Sequence, residues 1–205
     1  MIALNGRWVN FSNYAKIEAM EQTDQQLIAS FLAGDDASFE LLVHKNLKPV
    51  YNFLFRLTGG DKALTDDLTQ ETFFKAWKNI RKFDQEKNFK TWIFTIAKNS
   101  ARDAWKKKKT LPFSLFENSE GYNKLDEIAE DKALPDEVLE QIESTQELEQ
   151  VLKKLSKKHE TILLLRYKDD FSLGEIAKIL NLPYNTVKSQ HKRALSELKK
   201  QFLHP

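Results

Sequence analysis

The sequence predicts an all-α protein, and three observations carry that expectation. Glycine and proline are scarce, at 6 and 5 of 205 residues. Apolar residues recur at three- and four-residue steps nearly throughout, and no stretch sustains the two-residue alternation of a half-buried strand. With 41% hydrophobic residues the chain has enough apolar surface for real cores, divided between two small domains or gathered in one.

Taken in order, residues 1–23 carry no clear pattern and are expected to form a disordered N-terminal extension, with Met20 an alternative start. Asp24 is expected to cap a short helix whose inner face is Leu27, Ile28, Phe31 and Leu32 and which ends at Gly34. A longer helix follows with Phe39, Leu42, Val43, Leu47, Val50, Leu54 and Leu57 inward. Pro49 is expected to kink it, and Gly59-Gly60 to stop it. A third helix from about Asp61 to Ile80 buries Leu64, Leu68, Phe73, Trp77 and Ile80 and groups Asp67, Gln70 and Glu71 on another face. After a loop at 81–88, a fourth helix turns Phe89, Trp92, Ile93, Ile96, Ala97, Ala101 and Trp105 inward. It closes on Lys106, Lys107, Lys108 and Lys109, where cations suit the helix dipole. Among Trp77, Trp92 and Trp105, partial exposure is expected only at Trp92.

Residues 111–135 mix periodicities with Gly, Pro and dense acid and are expected to be a linker with one short turn near Leu125 to Ala129. A second helical domain is expected over 136–205. Val138, Leu139, Ile142, Leu148, Val151, Leu152 and Leu155 supply one helix, and Ile162, Leu163, Leu164 and Tyr167 the next.

The most informative stretch is SLGEIAKILNLPYNTVKSQHKRALSEL at 172–198. Ser172 with Glu175 three residues on is a capping box, and Ile176, Ala177, Ile179 and Leu180 share one face. Asn181 ends that helix. Leu182 and Pro183 carry a tight turn, since proline cannot continue one helix but is tolerated at the start of the next. Tyr184 or Asn185 opens a second helix with Val187, Ala194, Leu195 and Leu198 inward. Its outer face is read as Asn185, Thr186, Lys188, Ser189, Gln190, Lys192 and Arg193, which supplies hydrogen-bonding groups for base edges and cations for phosphates. This is the pattern of a DNA-binding helix-turn-helix. The same pattern also fits an amphipathic helix pair with a merely solvated polar face.

Charge separates these readings. Residues 1–110 carry 18 Lys/Arg against 13 Asp/Glu, residues 111–150 carry 2 against 12, and residues 151–205 carry 12 against 5, giving +5, −10 and +7. Two basic modules around an acidic connector suit two contacts with a polyanion. There is no cysteine, which excludes disulfides and thiolate metal sites. His44, His159, His191 and His204 are too scattered to suggest a metal pair, so no metal and no cofactor are assigned. No nucleophile with a paired base stands out, so no catalytic residue is assigned. No apolar run is long enough to cross a bilayer and no secretory signal is evident, so membrane insertion is not expected and the protein should stay in the cytoplasm.

The order of motifs resembles the extracytoplasmic-function (ECF) group of the bacterial sigma-70 family, the dissociable promoter-recognition subunits of RNA polymerase. The resemblance runs from Asp24 to Leu203 through GDDASFELLV, TDDLTQETFFKAWKNIRKFD, FKTWIFTIAKNSARDAWKKKK and LLLRYKDDFSLGEIAKILNLPYNTVKSQHKRAL. It implies a region 2-like domain over 24–110, an acidic linker and a region 4-like domain over 136–205. It further implies that Asp67, Leu68, Gln70, Glu71, Phe73 and Trp77 dock on the clamp helices of the largest polymerase subunit. Asp84, Gln85, Lys87 and Asn88 would meet a flipped base of the minus-ten element, and Trp92, Asn99, Arg102, Lys106 and Lys107 the adjoining strand. Thr186, Lys188, Ser189, Gln190, Lys192 and Arg193 would meet the minus-thirty-five element. The implied partners are core RNA polymerase, including the beta-subunit flap, promoter DNA and an anti-sigma factor.

This sequence departs from the family pattern at three places. Ser156 stands where a proline is usual, Gly174 sits inside the first helix of the motif, and Gln190 replaces an arginine. Because glutamine pairs bidentately with adenine and arginine prefers guanine, Gln190 is expected to be the main source of any difference in minus-thirty-five reading. Two other functions fit parts of the sequence. A helix-turn-helix regulator acting without polymerase would use the same motif. A Mg-dependent all-helical enzyme would use the acid pairs Asp66-Asp67 and Asp169-Asp170, but the chain is short, divided by a linker and basic in both modules.

Overall fold

The computed structural model describes residues 3–4, 7–8, 22–108, 152 and 154–203. The expected linker with its turn, the expected helix from Asp136 except for residues 152, 154 and 155, the side chains of Lys107 and Lys108, Lys109 and His204 lie outside the described residues. The chain divides into two compact units, 1–110 and 111–205.

In the N-terminal extension, β1 (Ala3–Leu4) and β2 (Arg7–Trp8) pair antiparallel with Ala3 opposite Trp8. Four residues expected to be disordered thus form a short ladder.

The first unit then packs four helices. Helix α1 (Asp24–Leu32) is capped by Thr23, not Asp24, which corrects the sequence reading. Thr23 accepts from the Gln26 amide and Gln26 answers with its own side chain (3.2 and 2.8 Å), while Asp24 is freed to pair with Lys45 at 2.9 Å. Helix α2 (Asp36–Leu57) runs unbroken through Pro49. Val50, Phe53 and Leu54 after the proline are fully buried, as are Leu42 and Val43 before it, so packing holds the helix across the missing backbone donor. Gly59 and Gly60 leave it at φ 68° and 91°, conformations that cost glycine nothing.

Helix α3 (Lys62–Asn79) starts at the Asp61 cap and carries three buried threonines. Thr65, Thr69 and Thr72 each donate to the carbonyl four residues back (2.6–2.7 Å), so none of these three hydroxyls is left unpaired. A 3-10 turn (Ile80–Lys82) leads through the loop to α4 (Phe89–Lys108). Phe53 of α2 and Phe94 of α4 meet at 5.1 Å between ring centroids, in a core that also holds Leu27, Ile28, Leu68, Phe73, Ile93 and Ala97.

In the second unit, α5 (Lys157–Leu163) begins at Ser156, whose hydroxyl caps the His159 amide at 3.3 Å. The serine that replaces the usual proline thus ties down an otherwise orphaned helix donor. A π-helical turn (Leu164–Lys168) follows, then α6 (Leu173–Leu180) and α7 (Tyr184–Leu203). Ser172 and Glu175 form the expected capping box, and Asn181 ends α6 in the left-handed conformation, φ 56°. Leu152, Leu155, Leu163, Ala194 and Leu198 cluster between α5 and α7. None of the described helices is long and apolar enough to cross a membrane.

Candidate nucleic-acid interface

The residues expected to dock on polymerase divide into two sets on α3. Asp67, Gln70 and Glu71 are exposed, Trp77 is half-buried, and Leu68 and Phe73 are 2% and 1% exposed. The last two belong to the core, where their helical spacing places them, and not to the exposed face on which the resemblance puts docking. The aromatic that the surface does offer is Phe74, 53% exposed and tilted against Trp77 with centroids 6.1 Å apart. Positions 67, 70, 71 and 74 fall at i, i+3, i+4 and i+7, one helical face, and that spacing could have identified Phe74. Glu71 pairs with Lys75 (2.6 Å), whose ammonium also donates to Ser100 of α4. Asp66 is engaged by Tyr51, whose phenol is pushed up by burial and then by the Asp66 charge and hydrogen bond.

The loop between the 3-10 turn and α4 is built by its own polar residues. Lys87 pairs with Asp84 (3.1 Å), Asp84 also accepts the Glu86 amide (3.2 Å), and the Asn88 side chain accepts from Thr91 (3.1 Å) at the start of α4. The Lys87 hydrogen bond, with that from the Glu86 amide, holds the Asp84 carboxyl below its ordinary value. Of the four residues expected to contact a base, Gln85 alone is exposed with no hydrogen bond among the described residues. Beneath the loop Phe83, Phe89 and Trp92 pack together with centroids 4.8–5.7 Å apart. Trp92 is half-buried as expected, and so is Trp77, which was not.

Along α4, Asn99 and Arg102 are half-buried and Lys106 is exposed. Arg102 Nε lies 3.5 Å from Asp103. Lys98 was missed by sequence reasoning. It is 3% exposed, and its ammonium is held below its usual range by burial, with Arg102 and Lys106 pushing the same way and Asp103 opposing. Positions 98, 102 and 106 recur at four residues, so the helix carries a continuous row of cations.

On α7, Lys188, Thr186 and Ser189 are half-buried and Lys192 and Arg193 are exposed. The Ser189 hydroxyl donates to the Thr186 carbonyl at 3.0 Å. Gln190 corrects the sequence reading, because it is 3% exposed and faces α5. Its amide oxygen lies 3.1 Å from His159 Nε2, while His159 Nδ1 donates to Glu197 at 2.5 Å. The next residue, His191, is also buried and bonded to the Tyr167 hydroxyl at 3.0 Å. Val187, Gln190, His191, Ala194 and Leu198 follow the i, i+3, i+4, i+7 rule, so periodicity places Gln190 inward. Its type misled the reading. Among the described residues no group of three His, Cys, Asp or Glu could hold a metal ion.

Two compact helical units, one with an acidic–aromatic face beside a cationic helix and one with a helix-turn-helix, define a transcription-factor architecture. The profile of sigma-70 region 2 matches residues 42–110 and that of sigma-70 region 4 matches residues 145–198. The ECF RNA polymerase sigma factor SigW of Bacillus subtilis is 33% identical over 89% of this chain and 98% of its own. SigX, an ECF sigma factor of the same organism, is 27% identical over 80% of this chain and 84% of its own. Among solved structures, the sigma factor RpoE of Bartonella quintana, in complex with the anti-sigma factor NepR, superposes with a TM-score of 0.55 at 23% identity, over 81% of this chain and 97% of that one. This chain belongs to the sigma-70 family, in its ECF group.

Proposed function

We infer that this protein is a sigma subunit that binds core RNA polymerase, recognises promoters and opens the minus-ten element, in the cytoplasm where polymerase and DNA reside, with no catalysis of its own. The observation that carries the inference is the joint presence of both family regions in order along one chain. The exposed face of Asp67, Gln70, Glu71 and Phe74 is proposed to meet the polymerase clamp, since carboxylates flanking an aromatic suit an Arg-rich helical partner. Gln85 is proposed to read a base over the floor of Phe83, Phe89 and Trp92, and the Arg102–Lys106 side of α4 to follow the phosphates. Lys188, Lys192 and Arg193 are proposed to meet the minus-thirty-five element. The RpoE relative, captured with an anti-sigma factor, supports a protein inhibitor of the same kind here.

The test is co-purification with core polymerase set beside binding to free promoter duplex. A sigma subunit binds core tightly and free duplex weakly. Tight, dimeric binding to duplex without core would instead identify an operator-binding regulator.

A further inference from the structure

We propose that Gln190 is a positioning residue, clasped with Glu197 by His159 so that α5 sets the rotation of the recognition helix about its own axis. The proposal rests on the reading of α7 as the DNA-reading helix. Gln190 and Glu197 lie seven residues apart, two helical turns on one face. The two nitrogens of a single imidazole reach both of them, at 3.1 and 2.5 Å. Either amide orientation of Gln190 completes its bond, because the oxygen accepts from an imidazolium and the NH2 donates to a neutral ring. His159 is itself fixed by its place at the start of α5, where its amide is capped by Ser156. The Tyr167–His191 bond, one residue along α7, adds a second tie on the same side.

Rotation about the helix axis moves residues 190 and 197 together, so it is the motion that breaks both bonds of the clasp. At a helix radius of about 6 Å, a turn of about 20° carries an outward side chain about 2 Å. That is enough to lose a hydrogen bond to a base edge. Lys188 and Lys192 flank Gln190 at two residues on either side, on the opposite side of the helix, so the clasp sets where they point. Base preference should therefore depend on His159, a half-buried residue whose ring nitrogens both bond to α7.

Selection of minus-thirty-five variants by reconstituted holoenzyme tests this. His159→Ala, Gln190→Ala and the double variant should each lower discrimination between the best site and its single mismatches by at least about fivefold. The double variant should do no more than the singles, because both remove one clasp. A uniform loss of affinity with unchanged preference would reduce the clasp to ordinary packing and overturn the proposal. Altered preference in Gln190→Ala with parental preference in His159→Ala would mean that Gln190 reads a base directly, and would overturn it equally. Should alanine at 159 unfold the second unit in a thermal melt, His159→Gln replaces it and the same comparison decides. Failure of the parent holoenzyme to initiate at any promoter would strike the sigma reading itself, a result distinct from all of these.

Discussion

Phe73 and Phe74 are neighbours in sequence with opposite surroundings, and that contrast fixes what alanine should do at each. Phe73 is 1% exposed and Phe74 is 53% exposed. Emptying a buried phenylalanine site costs about 3–5 kcal/mol, a large part of the roughly 5–15 kcal/mol that holds a domain together. At about 4–8 °C per kcal/mol for a unit of this size, Phe73→Ala should lower the melting of the first unit by at least about 12 °C. Phe74→Ala loses chiefly its contact with Trp77 at 6.1 Å, worth about 0.5–1.5 kcal/mol, and half of the ring is already in water. On the same scale its melting should fall by about 2–12 °C, less than that of Phe73→Ala. Core binding should respond in the reverse way, since an exposed aromatic amid carboxylates has the makings of an interface anchor. Its removal should weaken affinity about tenfold or more, about 1.4 kcal/mol. Calorimetry of the full chain and equilibrium binding to fluorescent core polymerase at fixed salt measure the two effects. An unchanged melt for Phe73→Ala would refute the burial, and parental affinity for Phe74→Ala would remove α3 from the docking face.

Reversing Asp67 and Glu71 to lysine should weaken core binding more than tenfold while leaving the far-ultraviolet circular dichroism intact, because the Glu71–Lys75 pair is exposed and worth only about 0.3–0.5 kcal/mol. Lys106→Ala should lower binding to many promoters alike and reduce the salt slope by about 0.7–0.9, whereas Gln85→Ala should change preference at the minus-ten element; a changed consensus from the lysine substitution would contradict both roles. Asn88→Ala removes the side chain that accepts from Thr91 at the start of α4 and should cost about 1 kcal/mol in a denaturant melt. Gly174→Ala should stabilise the second unit by about 0.5–1 kcal/mol, since an added Cβ meets nothing nearer than the Ser172 hydroxyl at 4.0 Å; a lower Tm would show strain at that turn.

The helices and their inner faces were legible because apolar spacing is a direct record of burial. The capping box Ser172–Glu175 was read correctly from residue types three apart. The pair Thr23–Gln26 carries the same signature, threonine with glutamine three residues on, and it caps α1 in place of Asp24. The surface assignment of Gln190 failed because residue type was allowed to outweigh position. Gln190 is polar but sits on the phase of Val187 and Ala194 and is buried with them, whereas Phe73 is buried where its helical spacing already places it, its docking role having come from the family resemblance. Other features have no local sequence signal. The clasp joins residues 31 and 38 positions apart, and the burial of Lys98 arises from tertiary packing around a side chain whose type favours solvent. Pro49 lies within α2, which stays helical on both sides of it, where Leu42, Val43, Val50, Phe53 and Leu54 are buried.

Reconstituted transcription tests the central claim most directly. Core polymerase with this protein, on a library of fragments from the genome that encodes it, should initiate at discrete start sites preceded by shared minus-ten and minus-thirty-five elements, and those starts should vanish when the protein is omitted. No stimulation over core alone across the library would contradict it.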